Sequence, residues 1–333
     1  MRQDLARVLD NLPSWVSVDE GAAEAELDMT CETAQPIAMP MLYQVETTSK
    51  CNLRCPFCPR TTDLVQHGQR SLTAEMSLAD FERILDSMPW LQSLEMFHFG
   101  EPFMQRDFHR FVEAAHRRGI YTVVASNLLT ATPRRVDEVF AAGLDFLVMD
   151  VDSLDPARYA AARVNGSLET LRPIVQYILA HPNRPWCVAQ TIMLDGKPEY
   201  TEDEFVAWAG NKPDEIRYKF LDSFRGEASA TTPLGPTDLC REPFFGFTVH
   251  VNGNVVPCDR DWAGENVMGN ILTQDPMEIW RGPKYERFRA EMKSACKPAM
   301  CRDCGEGRLV NLRSQRHIQV NMFKGERVEH GKR

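Results

Sequence analysis

Ten cysteines are spread unevenly along this chain of 333 residues, and their spacing is its most chemically informative feature. Cys51-Asn-Leu-Arg-Cys55-Pro-Phe-Cys58 packs three thiols into eight residues. Three thiolates on one tight loop can hold three irons of a four-iron cluster, which takes four cysteines when complete. No fourth cysteine lies nearby, so one iron would stay open for a small molecule, as a catalytic zinc keeps an open position. A zinc site is the alternative reading of this spacing. Near the other end, Cys240 and Cys258 bracket an Asn252-Gly253 turn, and Cys301-Arg-Asp-Cys304 closes the next helix. A hairpin pair with a CxxC knuckle folded over it can close a four-cysteine site, suited to structural zinc or to a full four-iron cluster. Cys296 fits that spacing less well and reads as spare. Cys31 and Cys187 read as plain thiols, Cys187 buried in a strand.

The elements that must position these groups follow from periodicity. Strand patterns cover Met41–Thr47, Leu94–Phe99, Tyr121–Ala125, Phe146–Asp152, Trp186–Leu194 and Glu215–Leu221. Between them, helical patterns cover Leu78–Met88, Phe108–Arg117, Arg134–Ala142, Leu168–Leu179 and Glu202–Trp208. Gly119 and Gly143 sit where helices should stop, and Thr201 with Glu204 forms a capping box. Such strand–helix alternation predicts a parallel sheet with right-handed crossovers, its chemistry on loops at the C-terminal strand ends. After about residue 223 the pattern changes. A Ser/Thr/Pro/Gly-rich connection leads to apolar runs at Phe244–Val251 and Val255–Pro257 around Asn252-Gly253, where both turn positions favour positive φ. A helix over Pro276–Met292 precedes the cysteine knuckle. The expected division is a lead-in over 1–40, a strand–helix domain over 41–223, a cysteine-bearing domain over 224–310 and a basic tail over 311–333.

Composition narrows the partners. Lys plus Arg number 38 against 47 Asp plus Glu, a formal charge of −9. That balance argues against nucleic acid, whose affinity comes from basic residues on phosphates. No apolar run reaches the ~20 residues of a membrane span, and the acidic N-terminus lacks a signal-peptide core. A cytoplasmic setting is expected, in which clustered thiols point to metal rather than disulfides.

A CxxxCxxC loop after the first strand of a repeated β/α chain resembles the radical S-adenosylmethionine (SAM) superfamily. The resemblance implies an α/β fold, a partial (β/α)6 TIM-like barrel. It also implies that SAM chelates the open iron of a [4Fe–4S] cluster and is cleaved by one electron to a 5′-deoxyadenosyl radical. Phe57 matches the family's aromatic position beside the adenine. Phe99-Gly100-Glu101-Pro102 matches its GGEP, with Phe99 for the first glycine, and implies that Glu101 accepts the SAM ammonium. Ser126 and Asn127 match a Ser-Asn-Gly segment that reaches SAM, and Leu128 departs from it. Asp150 stands in place of a serine at the ribose, and Arg163 matches an arginine that pairs with the SAM carboxylate. The segment with Cys240, Gly253–Cys258, Met268–Ile271, Cys301 and Cys304 resembles the superfamily's SPASM/Twitch domains, which implies a small hairpin-and-helix domain with a second, auxiliary [4Fe–4S] cluster. Full SPASM domains use about seven cysteines, and the five here fit the shortened Twitch form of the butirosin-pathway aminocyclitol dehydrogenases.

The expected activity is therefore oxidation of a secondary alcohol on a small-molecule substrate, an aminocyclitol or sugar, to a ketone, with the auxiliary cluster as electron acceptor. Lys219 and Arg225 are the candidate catalytic residues at the end of the sixth strand. The resemblance implies an electron donor such as flavodoxin or ferredoxin. Epimerisation with Cys296 or Cys187 as hydrogen donor, decarboxylation, peptide modification and a zinc-stabilised binding protein are the competing readings.

Overall fold

The computed structural model describes residues 40, 42–61, 71–193, 197–220, 240, 242–302 and 304. Cys31, Arg225, most of the expected lead-in and the whole basic tail lie outside the described residues. Six strands run parallel in sequence order, each next to its predecessor: β1 Leu42–Val45, β2 Ser93–Glu95, β3 Tyr121–Ser126, β4 Phe146–Asp150, β5 Trp186–Met193 and β6 Glu215–Phe220. The helices between them are α1 Leu78–Ser87, α2 Phe108–His116, α3 Pro133–Ala141, α4 Pro156–Ala162, α5 Leu168–Ala180 and α6 Glu202–Ala209. Helix boundaries follow local chemistry. Thr201 caps α6 in a reciprocal box, its backbone N–H donating to Glu204 Oε2 at 2.7 Å and its Oγ1 accepting from the Glu204 N–H at 3.3 Å. Gly119 and Gly143 take φ of +74° and +91° just past α2 and α3.

Strand alternation sorts side chains onto two faces. Tyr43, Val45, Leu94, Met96, Val124, Leu147, Met149, Cys187 and Ala189 pack outward with the apolar faces of the helices in one large core. The opposite residues Val123, Phe146, Val148 and Val188 form a separate inner cluster with Phe97, Tyr121, Ala125 and Trp186. Beyond it toward the C-terminal strand ends, the same inner face carries Asp150, Gln190, Arg217 and Lys219. Lys219 on the edge strand β6 favours the charged forms of Glu95 on β2 and Asp150 on β4. Those three residues face one another only if the sheet curls, so the architecture is a partial TIM-like barrel with a polar lumen.

After residue 241 come a helical turn α7 Glu242–Phe245, the strands β7 Gly246–Val249, β8 Asn254–Val256 and β9 Gly269–Asn270, and the helices α8 Pro276–Trp280, α9 Pro283–Lys293 and α10 Ala299–Arg302. β7 pairs in parallel with β1, and β8 and β9 follow antiparallel, so one sheet of order β6-β5-β4-β3-β2-β1-β7-β8-β9 runs through both halves.

Several details differ from the sequence reading: the second strand ends at Glu95 rather than Phe99, and a short helix, α4, adds to those expected. The strand expected from Phe244 begins at Gly246, because Phe244 and Phe245 lie in α7 with both rings buried. Only Gly253 of the Asn-Gly turn takes positive φ, +82°. The helix expected over Pro276–Met292 is two helices: Pro283 lacks a backbone donor, and a Cβ on Gly282 would meet the Glu278 carbonyl oxygen at 2.6 Å.

Candidate functional site

The three-cysteine loop leaves the C-terminal end of β1 and is tied down at several points. Arg60 donates to the Ser49 carbonyl and, at 3.0 Å, to that of Leu72. The Arg54 N–H reaches the Val164 carbonyl at 3.0 Å, and the Cys58 N–H closes on the Cys55 carbonyl at 3.0 Å. Burial pushes the Cys51 thiol up to about 11 and the Cys58 thiol up to about 12, and raises Cys55 as well. Cys58 is raised further by Cys55 and Cys51, which places the three sulfurs within electrostatic reach of one another. Thiols in such a position stay protonated until a cation draws them off. A cavity of about 250 Å³ opens beside Cys51, lined by Asn52, Leu53, Arg54, Arg60, Thr61 and Leu72.

Glu101 arrives from the loop after β2. Its N–H donates to the Lys50 carbonyl at 2.7 Å, and the preceding Gly100 lies so close to β1's end that a Cβ would meet the Thr48 carbonyl oxygen at 1.7 Å. Only glycine fits there. The Glu101 carboxylate accepts from Ser126 Oγ at 2.6 Å, from the Phe103 N–H at 3.0 Å and from the Asn127 N–H at 2.8 Å. It is 2 % exposed, and burial raises it to about 7 against the opposing pull of those three donors. No described residue makes a salt bridge to it. A buried carboxylate with donors but no cation in ion-pair contact is a fitting partner for a ligand ammonium.

Arg163, just past α4, is 8 % exposed and gathers the rest of the site. It pairs with Asp152 and, at 3.3 Å, with Asp150. Its guanidinium lies 5.5 Å from the Phe57 ring centre, and Nη1 approaches Cys55 Sγ at 3.8 Å. On the facing side, Asn127 Nδ2 donates to Asn52 Oδ1 at 3.1 Å and approaches Cys51 Sγ at 3.9 Å. Burial and the neighbouring Asp152 raise Asp150, and Arg163 and the Gln190 amide at 3.2 Å oppose the rise. Leu128, where the family pattern has glycine, keeps a left-handed φ of +62°. Its side chain is fully buried, so burial worth about 2–3 kcal/mol offsets a strain of about 1–2 kcal/mol.

The second cysteine site is assembled from three segments. Cys240 precedes α7, Cys258 follows β8, and Cys301 and Cys304 flank the end of α10. Cys240 is raised by Cys301 and Cys304, and Cys258 by Cys301 and Cys240, each after the larger effect of burial. Buried Arg289 fixes this arrangement: it stacks over Trp280 at 4.1 Å and Tyr285 at 4.6 Å while donating to the Pro243 and Trp280 carbonyls at 2.8 Å. As the side chains stand, no group of three or more His, Cys, Asp or Glu among the described residues forms a site for a single metal ion. A four-iron cluster takes one cysteine per iron, so its ligands stand apart, and mutually sensed thiols of this kind suit it.

Most expected residues thus fall in two groups. Phe57, Gly100, Glu101, Ser126, Asn127, Asp150 and Arg163 ring the first cysteine loop, and Lys219 lies on β6, exposed, within reach of Glu95, Asp150 and Asp259. Cys296 is exposed, and Cys187 lies on the helix side of β5 with Sγ donating to the Pro185 carbonyl at 3.4 Å. Cys187 therefore faces away from the lumen that a hydrogen donor for epimerisation would have to reach. Sequence reasoning missed Arg60, the pairing of Asp152 with Arg163, Glu95 and the buried pair of Glu46 and His98. His98 lies 3.8 Å from Glu46 and bonds the Asp259 carbonyl at 2.9 Å, next to Cys258. Asp152 could have been found as a second carboxylate two residues after Asp150; the others carry no local signal.

Comparison with known proteins agrees with this geometry. The radical SAM superfamily model matches residues 45–209, and the SPASM model, an iron–sulfur cluster-binding domain, matches residues 240–305. The PqqA peptide cyclase of Xanthomonas axonopodis pv. citri is 28% identical over 311 residues, 80% of each chain. GTP 3′,8-cyclase of Aeromonas hydrophila subsp. hydrophila is 27% identical over 178 residues, 53% of this chain, which thereby spans about half that relative (52%). Among solved structures, BtrN in complex with AdoMet and 2-DOIA aligns with a TM-score of 0.53 at 19% identity, over 80% of this chain and 93% of that one, a likeness of fold. No helix among the described residues is long and apolar enough to cross a membrane. The two domains imply SAM and [4Fe–4S] clusters as cofactors. The first model falls on the barrel with cysteines at one strand end and the second on the cysteine-rich extension of the same sheet: the chain belongs to the radical SAM superfamily and carries a SPASM domain.

Proposed function

We propose that Cys51, Cys55 and Cys58 hold the cluster that binds SAM, that Cys240, Cys258, Cys301 and Cys304 hold an auxiliary cluster, and that the enzyme oxidises a secondary alcohol of a small polar substrate, an aminocyclitol or sugar, to a ketone. In this reading the barrel domain spans 41–223 and the auxiliary domain 224–310. The observation that supports it is the polar inner face of the barrel on the side of the second cysteine site: His98, just past β2, bonds the Asp259 carbonyl next to Cys258 at 2.9 Å, and Glu95 on β2 is raised by burial and then by Asp259 and Glu242. A substrate held there lies between a radical source and an electron acceptor.

When bound, SAM supplies on one-electron reduction a 5′-deoxyadenosyl radical able to take hydrogen from an unactivated carbon. The chain's own residues hold and exclude. Glu101 receives the ammonium at its carboxylate, with Ser126 and Asn127 fixing that carboxylate in place. Phe57 and Arg163 bound the adenine and carboxylate ends, and Asp150 faces the ribose. Lys219, with Arg225 beyond it in sequence, orients the substrate hydroxyl. Glu95, raised to about 8 chiefly by burial, can exchange a proton near neutral pH at that hydroxyl. Keeping the reacting carbon close to the radical is the main contribution of the barrel. A flavodoxin or ferredoxin is the proposed electron donor.

The test is anaerobic turnover of the reconstituted enzyme with carbon-deuterated aminocyclitols and sugars. Deuterium in 5′-deoxyadenosine with a ketone product supports the reading, and SAM cleavage without deuterium transfer from any of them overturns it. A second reading, peptide modification, draws on the PqqA peptide cyclase match over 80% of both chains. Deuterium transfer from a labelled peptide with none from the small alcohols decides for it.

A further inference from the structure

Two side chains reach the sulfurs of the three-cysteine loop. Arg163 Nη1 lies 3.8 Å from Cys55 Sγ, and Asn127 Nδ2 lies 3.9 Å from Cys51 Sγ. Both are N–H donors held from behind. Arg163 is fixed by Asp152, Asp150 and the Phe57 ring, and Asn127 by Asn52 and by its own backbone bond to Glu101. Both are buried, Arg163 8 % and Asn127 4 % exposed, so little water competes for the sulfurs. An N–H directed at a cluster sulfur stabilises the more negative, reduced state, and a guanidinium N–H is the stronger, charge-assisted donor even with its charge offset by carboxylates behind it.

We propose that Arg163 and Asn127 set the reduction potential of the SAM-site cluster by donating to the Cys55 and Cys51 sulfurs, with Asp152 as the anchor that aims the guanidinium. This rests on the reading that Cys51, Cys55 and Cys58 hold that cluster. The step concerned is the uptake of one electron from an external donor, with no bond made or broken. Arg163 is the stronger of the two because it is charged and doubly anchored.

The experiment is an EPR-monitored potentiometric titration of the reconstituted holoenzyme without SAM, so that contacts to SAM play no part. At the potential where half of the wild-type SAM-site cluster is reduced, Arg163→Met should lower its reduced-to-oxidised ratio about tenfold, a 59 mV shift to more negative potential for one electron. Asn127→Ala should lower it about threefold, and Arg163→Lys, which keeps charge without the planar fork, should fall between. The auxiliary cluster in the same samples serves as the internal reference and should titrate unchanged. Unmoved midpoints with the cluster at wild-type iron content overturn the proposal, as does an equal shift of both clusters. Should Arg163→Met fail to assemble the cluster, Arg163→Lys decides by the same two outcomes. Failure of the underlying reading looks different: Cys51, Cys55 and Cys58 replaced together by alanine would then leave both EPR signals in place.

Discussion

The two cysteine sites are built in opposite ways. The first takes its three thiols from eight consecutive residues on one loop, and its other partners from beyond three strands and from just past α4. The second takes four thiols from three segments spread over residues 240–304, aligned by a hairpin, a split helix pair and the buried Arg289. A local trio leaves a coordination position for a ligand and depends little on the rest of the fold for its own spacing. A dispersed quartet fills every position and makes the metal part of what holds its domain together. Under the proposed function, the difference separates a site that exchanges its ligand from one that only passes electrons.

The largest effect should come from replacing Cys51, Cys55 and Cys58 together with alanine. SAM cleavage should vanish, while iron and sulfide fall by roughly half, as expected if each site holds one cluster. Next, Cys258→Ala should remove the auxiliary share of the iron and lower the thermal midpoint by several degrees, because three segments lose their common ligand. Product formation should drop by roughly 100-fold or more, and SAM cleavage without product should persist. Loss of both clusters in that variant would break the contrast between the sites.

A smaller, graded effect concerns Glu101. Its carboxyl is raised to about 7 in the ligand-free protein, and only the ionised form binds an ammonium. SAM affinity should be full above that pH and fall by up to about tenfold per unit below it. Glu101→Gln should weaken binding roughly 10- to 100-fold and flatten the pH profile, measured by equilibrium dialysis with the cluster oxidised. The smallest effect is expected for exposed Cys296. Cys296→Ser should leave iron content unchanged and stability within about 0.5 kcal/mol. Lost iron there would make the second site a five-cysteine one.

What the sequence revealed follows the same division. The cysteine loop, Gly100-Glu101 and Ser126-Asn127 are contiguous segments whose roles are set by local shape, and they are legible as motifs. Gly119 and Gly143 end helices for reasons contained within one turn. The break at Gly282-Pro283 was written in the residues but overridden by apolar periodicity on both sides. Leu128 defeats a glycine pattern because its burial outweighs a strained φ. Glu95, Arg217 and Lys219 become neighbours of the same space only through the curl of the sheet, which no window of sequence contains. His98 needed the Cys258 loop brought to it across the chain.

β1 is flanked by β2 on one edge and by β7 on the other, and Thr248 Oγ1 reaches Gln44 Oε1 at 3.3 Å across a separation of 204 residues. During synthesis at roughly 5–20 residues per second, that outer edge therefore waits about 10–40 s for its partner. An uncovered strand edge is a template for pairing with other chains. The nascent barrel should thus be a chaperone client until the hairpin emerges, and a fragment ending at residue 220 should precipitate where the full-length chain does not.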